Sequence, residues 1–411
     1  MRKRYMHHQI VIIGGGAGGI GLAASLLKRN ATLDIAIIEP SETHSYQPAW
    51  TLVGGGAFDY SKSQRSTQSV MPKGVKWIKD AVSKVDPKHN KVVLSDGSEV
   101  SYQFLALSPG LTLNWGAIKG LEETLGKNGV TSNYQEGLSK YTWELVRNLK
   151  GGKAIFSQPP MPIKCAGAPQ KAMYMSCSAW QKAGVLKDIS VDFCNAGGVL
   201  FGVADYVPAL MEYVEEYGIN LNFEENLIAV DGKKKIATFA TKDGNVDRAF
   251  DMLHVVPPQV GMGFLKDSGL VNEGNWIEVD QNTLQSVHFD NVFGLGDATT
   301  TPNAKTAAAT RKQVVVAAEN MIAAIEGKDL KSAYDGYGSC PLTVANGKIV
   351  LAEFAYGGKV APTFPVAFLN GKTATRRAWF LKKTMLPWIY WNQMLKGTEW
   401  FAGSDDISKY K

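Results

Sequence analysis

Four cysteines in 411 residues are too few to staple a chain of this size, so any cysteine pair reads as catalytic rather than structural. No apolar run approaches the roughly 18–20 residues that cross a bilayer. No repeat or low-complexity tract is present, which excludes solenoids and disordered linkers. Charge of one sign is scarce as well: 44 Lys and Arg face 38 Asp and Glu, a net +6. That balance is too diffuse for nucleic acid, yet it suits an anionic cofactor or an anionic membrane surface. Only MRKRYMHH precedes the first strand-like run, QIVII, which leaves room for neither a secretory leader nor a transit peptide. The expectation is a bacterial chain that starts in the cytoplasm. No metal site is expected.

What is present is strand, glycine turn, helix: QIVIIGGGAGGIGLAASLLKR. Gly14, Gly16 and Gly19 fall in the G-x-G-x-x-G spacing, and the next strand, LDIAIIEP, ends in Glu39. Gly14 makes the tight turn, Gly16 lets the backbone approach a pyrophosphate, and Gly19 lets helix pack on strand. Glu39 then takes the ribose hydroxyls. Further on, FDNVFGLGDATTTPNAKTAAATRKQVVVAAENMIAAI (289–325) resembles the second flavin motif of two-dinucleotide flavoproteins. In that motif the acid, here Asp297, holds the ribitol. The helix start at Lys305, Thr306 and Ala307 faces the flavin pyrimidine, where its positive dipole favours the anionic reduced ring. LALSPG, ending in Gly110, takes the place of the family's Ala-Thr-Gly turn. The expected cofactor is FAD.

The middle third has the strands of a second βαβ unit, KAIFS and ISVDFCNAG, but no glycine fingerprint between them. Residues 158–168 read QPPMPIKCAGA, in which three prolines stiffen the turn and remove donors a pyrophosphate would use. No acid ends the following strand; Cys194-Asn195-Ala196 stands there. The fold of a nicotinamide domain is expected without its ligand. The expected architecture is therefore α/β, with two Rossmann-like dinucleotide-binding domains of the disulfide-reductase type and a C-terminal membrane-associating segment. Residues 1–115 and 259–330 form the two parts of the FAD domain, 116–258 the second domain, and 331–411 the C-terminal region.

Cys177 shares an apolar helix face with Met173 and Trp180, and Cys194 lies in an apolar strand; both read as inert core thiols. Cys165 differs, lying in a loop beside Lys164 just before a helix, where a cation and a helix N-terminus favour thiolate. Cys340, between Ser339 and Pro341, reads as a turn residue outside any apolar periodicity. Together they suggest a redox pair facing the flavin. The tail, TRRAWFLKKTMLPWIYWNQMLKGTEWF (375–401), should be broken at Pro387 into two short helices. Its Trp379, Phe380, Leu386, Trp388, Ile389, Tyr390 and Trp391, mixed with Arg and Lys, suit helices lying in the headgroup layer and bordering a quinone.

These motifs resemble sulfide:quinone oxidoreductase over nearly the whole chain, and most closely the branch that includes the animal mitochondrial enzyme. The resemblance rests on IKCAGAPQK, MLHVVPP, NVFGLGD with KTAAA, YDGYGSCPL and LPWIYWNQMLKG. It implies that Cys165 and Cys340 are joined by a disulfide or trisulfide, that sulfide opens this bridge, and that electrons pass through FAD to ubiquinone or menaquinone. Sulfane sulfur then leaves to glutathione, coenzyme A, sulfite or a second sulfide. No cysteine precedes Cys165, so FAD should be held non-covalently. Lys164 and Lys305 are candidates to hold local anions, and His44, Glu42 and His254 are candidate acid–base groups. The expected location is the cytoplasmic face of a bacterial inner membrane. The rivals are a type II NADH dehydrogenase, a flavocytochrome c sulfide dehydrogenase, and a flavin-binding redox sensor without turnover.

Overall fold

The computed structural model describes residues 5–410. Strand Tyr5–Ile13 pairs in parallel with Ile35–Ile38 on one side and Glu99–Leu107 on the other. Lys76–Ile78 extends the sheet beyond Ile35–Ile38, and Val292–Gly294 joins it alongside Glu99–Leu107. Ile10–Ile13 and Ile35–Ile38 are buried throughout, because a parallel sheet is covered on both faces and its strands read as unbroken apolar runs. Helices Ala17–Arg29 and Ala307–Ile325 share one core with these strands.

A second, five-stranded parallel sheet holds Val130–Thr131, Met252–His254, Gly152–Gln158, Ile189–Asn195 and Asn220–Phe223 in that spatial order. Where the chain crosses between the two sheets, Thr112–Leu113 pairs antiparallel with Gln259–Val260. The proline-rich loop after Gly152–Gln158 turns toward the first domain. Cys165 N–H donates to the Lys305 carbonyl at 2.7 Å, and Lys164 N–H donates to Gln259 Oε1 at 2.7 Å.

The C-terminal region begins with a hairpin, Gly338–Ala345 and Lys348–Phe354. Cys340 lies within the first of these strands and is buried; it is not a turn residue. Pro341 misleads here because this is an edge strand, where a missing N–H costs little. Alternation along the strand gives its residues two destinations. Cys340, Leu342 and Val344 enter the core of the second domain beside Phe156 and Met173, whereas Ser339 and Pro341 border the central cavity.

The tail also departs from expectation. Helices Arg376–Phe380 and Leu386–Asn392 are joined by a π-helical turn, Leu381–Met385, rather than broken at Pro387. Pro387 sits in the first turn of the second helix, where its missing N–H is tolerated. The chain then docks on the first domain: Tyr390, Trp391, Met394 and Leu395 belong to its core. Gly397 passes so close to helix Ala17–Arg29 that a Cβ would meet the Ala24 carbonyl at 2.6 Å. Arg29 fixes the end by pairing with Glu399 at 2.6 Å and Glu319 at 3.0 Å.

Candidate active site

One cavity of about 990 Å³ runs from the glycine turn to the tail. Gly14 adopts φ +101°, and a Cβ there would meet the Ser108 carbonyl oxygen at 2.3 Å. A Cβ at Gly19 would meet the Gly14 carbonyl at 1.8 Å, so helix and strand meet only because it is glycine. At Gly16 a Cβ would meet nothing, since that position opens onto the cavity. Glu39 accepts from Gly15 N–H at 2.7 Å and from Ser41 N–H at 2.7 Å, which fixes its carboxylate at the cavity wall. Gly110, Asp297, Lys305, Thr306 and Ala307 line the same space. Thr306 caps the Ala307–Ile325 helix by accepting from Ala309 N–H at 3.2 Å. Thr51, Asn133 and Arg311 also line it and carry buried polar atoms with no partner among the described residues. Buried polar atoms are rarely left unpaired, and a long polar ligand supplies what they lack. These residues fit FAD.

Lys164 and Lys305 flank Asp297. Burial raises the Asp297 carboxyl against the pull of both lysines. Lys305 Nζ donates to the Thr299 carbonyl at 2.7 Å, and burial lowers its ammonium to about 8. Lys164 Nζ donates to Gln47 Oε1 at 2.7 Å.

Cys165 and Lys171 form part of one wall, with Cys340 buried beside them. Cys165 stands in the left-handed region at φ 49°, a conformation that costs a non-glycine residue about 1–2 kcal/mol. It is held there by its bond to the Lys305 carbonyl, by Ala168 N–H donating to the Cys165 carbonyl at 2.7 Å, and by the Tyr134 hydroxyl, which reaches the carbonyls of Lys164 and Cys165 at 3.0 and 3.1 Å. A Cβ on Gly167 would meet Cys340 Sγ at 2.5 Å, so this glycine lets the helix start approach the second sulfur. The structure thus brings the two expected cysteines together, both as free thiols. Between them stands Lys171, a buried lysine that the sequence reading left without a role. Its Nζ lies 3.1 Å from Cys165 Sγ and 3.7 Å from Cys340 Sγ.

The pair shares one negative charge. The hydrogen bond from Cys340, together with the Lys171 ammonium, holds the Cys165 thiol well below its ordinary range, while Cys340 is pushed well above it. The thiolate in turn keeps Lys171 charged despite burial. Cys177 and Cys194 are fully buried, and burial raises both thiols.

The acid–base candidates do not sit at the sulfurs. His44 is buried, with Nδ1 3.0 Å from the Gly15 carbonyl and Nε2 2.6 Å from the Tyr390 hydroxyl; burial lowers it to about 4. His254 lies off the cavity, accepts from Asn133 N–H at 2.9 Å, and is lowered by burial to about 3. Glu42 is exposed and paired with Lys79. The tail set divides. Phe380 and Trp388 are exposed, Trp379, Leu386 and Ile389 are intermediate, and Leu386, Trp388, Ile389 and Tyr390 border the cavity. Tyr390 and Trp391 are buried and do not face outward as expected; Tyr390 is spent on His44, and Trp391 lies under the Arg65 guanidinium at 4.4 Å.

The glycine cradle, the sheet built from two chain segments and the second Rossmann-like unit define a two-dinucleotide flavoprotein. Residues 8–148 match the family described as pyridine nucleotide-disulphide oxidoreductase. The mitochondrial sulfide:quinone oxidoreductase of Dictyostelium discoideum is 43% identical over 96% of this chain and 87% of its own length. That of Mus musculus is 40% identical over 95% and 87%. The crystal structure of the sulfide:quinone oxidoreductase from Aquifex aeolicus superposes with a TM-score of 0.81 at 18% identity, covering 96% of this chain and 92% of that one. The chain belongs to the sulfide:quinone oxidoreductase family.

Proposed function

We propose that this protein oxidises sulfide at Cys165 and Cys340, sends the electrons through FAD to a membrane quinone, and hands the sulfane sulfur to a thiophilic acceptor. One observation carries this reading: a buried ammonium, Lys171, bridges two cysteine sulfurs, Cys165 in the wall of the dinucleotide cavity and Cys340 buried beside it.

In the oxidised state the two sulfurs are joined, directly or through one extra sulfur. HS⁻ attacks the bridge, one S–S bond breaks and another forms, and the products are a persulfide on one cysteine and, on the other, a thiolate from the direct bridge or a second persulfide where the bridge held an extra sulfur. Lys171 stabilises the departing thiolate, the species that would otherwise be costly in a buried site. Bound FAD supplies a two-electron acceptor that can pass its electrons to quinone. Tyr134 and the Lys305 carbonyl hold the strained Cys165 loop, so the bridge sulfur under attack needs no reorganisation at that moment. Glutathione, coenzyme A, sulfite or a second sulfide then takes the outer sulfur. Among the described residues no helix is long and apolar enough to cross a membrane. Docking is instead assigned to the exposed Phe380, Met385, Trp388, Trp400 and Phe401 with Arg376, Arg377 and Lys383 nearby, a mixture suited to the headgroup layer.

The test is anaerobic addition of sulfide, and separately NADH, to the purified yellow protein. Sulfide should bleach the flavin, NADH should not, and a short-chain quinone should restore the colour. Cys165→Ser and Cys340→Ser should each abolish sulfide bleaching while Cys177→Ser keeps it. Full bleaching in either of the first two would refute the pair.

A further inference from the structure

The tail carries a second buried lysine. Lys382 lies on the π turn, and its side chain is turned inward while Phe380, Lys383, Thr384 and Met385 around it are exposed. It is only 5% exposed and lines the same cavity as Cys165 and Lys171. Among the described residues its Nζ has one hydrogen bond, a long one of 3.4 Å to the Pro48 carbonyl. No carboxylate pairs with it among the described residues. The charged groups that act on it come from three elements: Lys171 from helix Ala168–Lys182, Cys165 from its loop, and Cys340 from its strand. The Gln47–Ala49 turn contributes only a carbonyl, and the neighbouring Lys383 is exposed with its Nζ over the Trp379 ring.

Two ammonium groups buried beside one thiolate cannot both keep their protons cheaply. Lys171 has the thiolate at 3.1 Å; Lys382 has a distant carbonyl and a like charge nearby. We infer that Lys382 is the base that takes the proton from entering hydrogen sulfide, with Lys171 as the permanent cation beside the sulfurs. The inference rests on the sulfide-oxidising reading of Cys165 and Cys340.

Burial and the Lys171 charge lower Lys382 to about 7, while the thiolate raises Lys171. Neighbouring groups whose environments push them apart are the mark of divided acid–base roles. The chemistry demands such a group. The neutral gas enters a buried site most readily, but the anion is the sulfur nucleophile. In the step, one S–H bond of H₂S breaks and one N–H bond forms on Lys382, giving HS⁻ and an ammonium; no electrons move. The HS⁻ then attacks the bridge as above. The base therefore arrives on the segment that docks to the membrane.

The deciding experiment follows sulfide-driven bleaching of the FAD by anaerobic stopped flow, from about pH 6 to about pH 9, in wild type, Lys382→Met and Lys382→Arg. Loss of a general base predicts that both variants slow at the acid end by about 10²-fold. The deficit should close toward the alkaline end, where solvent already supplies HS⁻. Arginine keeps charge and bulk but cannot give up its proton, so it should not rescue. An unchanged rate in Lys382→Met, a deficit equal at every pH, or recovery in Lys382→Arg would overturn the assignment. If Lys382→Met fails to retain FAD, the arginine variant decides alone. A wild type that sulfide does not bleach at any pH defeats the underlying reading instead, which keeps the two failures distinct.

Discussion

The Tyr390 hydroxyl and His44 Nε2 meet at 2.6 Å, joining the tail to the first glycine turn. His44 Nδ1–H is committed to the Gly15 carbonyl at 3.0 Å, so Nε2 is the acceptor and the tyrosine is the donor. The imidazole is thus held neutral in one tautomer, and the glycine turn leans through His44 on a residue 346 positions beyond that histidine.

Tyr390→Phe removes the donor and strands a buried Nε2. It should lower stability by about 1–3 kcal/mol and loosen the glycine turn, read as faster loss of FAD on dilution. Retention of FAD with an unchanged melting temperature would show that the link is incidental.

Lys171→Met should leave the fold intact and move the sulfur chemistry. Loss of a buried charge-assisted contact of about 1.5–3 kcal/mol corresponds to a rise of roughly 1–2 pH units in the Cys165 midpoint. The measurement is alkylation of the anaerobically reduced protein by iodoacetamide across pH, with the modified cysteine identified by mass spectrometry. A midpoint that stays put would mean Cys340 and the surrounding dipoles hold the thiolate without the lysine.

Membrane docking calls for point substitutions, because deleting residues 375–411 would also strip Tyr390, Trp391, Met394 and Leu395 from the first core. Trp388→Ser and Phe401→Ser leave the core intact; these side chains border the cavity but are 50% and 73% exposed. Burying a large apolar side chain contributes about 1.5–3 kcal/mol, so each change should weaken partition to anionic vesicles by roughly tenfold or more. Sulfide bleaching in solution should be unaffected. Unchanged vesicle binding in the double variant would transfer the docking role to another face.

The parts of this molecule legible in the sequence are those fixed by local rules. Gly14, Gly16 and Gly19 are demanded by a turn, a ligand and a helix–strand contact within six residues, and Asp297 stands three residues past its strand, in a Gly-Asp turn. Cys165 stood out because prolines and a cysteine occupied a place where glycines belong. Lys171 was overlooked, although a lysine in the first turn of a helix opposes the dipole and so asks for a partner. That partner is the Cys165 thiolate, and the Cys340 hydrogen bond that holds it charged exists only once the Gly338–Ala345 strand crosses the helix start. Lys382 sits in FLKKTM, where an inward lysine and an interfacial one have the same letters. The π turn that rotates it inward is a tertiary result, as is the burial of Tyr390 and Trp391 within an aromatic run that reads as membrane-facing.

Acid should unfold this protein through its buried imidazoles. His44 and His254 are lowered by burial to about 4 and about 3, whereas in the unfolded chain both titrate near 6.5. Above that value both states are neutral and stability is fully present. As pH falls below it the unfolded chain takes up protons that the folded chain refuses, and stability is lost until the folded values are reached. Each group contributes a slope of up to about 1.4 kcal/mol per pH unit in that window. The melting temperature should therefore fall steeply from about pH 6.5 to about pH 4. His254→Gln should flatten the slope without affecting sulfide bleaching, because His254 lies off the cavity. A slope that His254→Gln leaves unchanged would assign acid sensitivity to carboxylates instead, such as Glu319 and Asp405, whose partners hold them low.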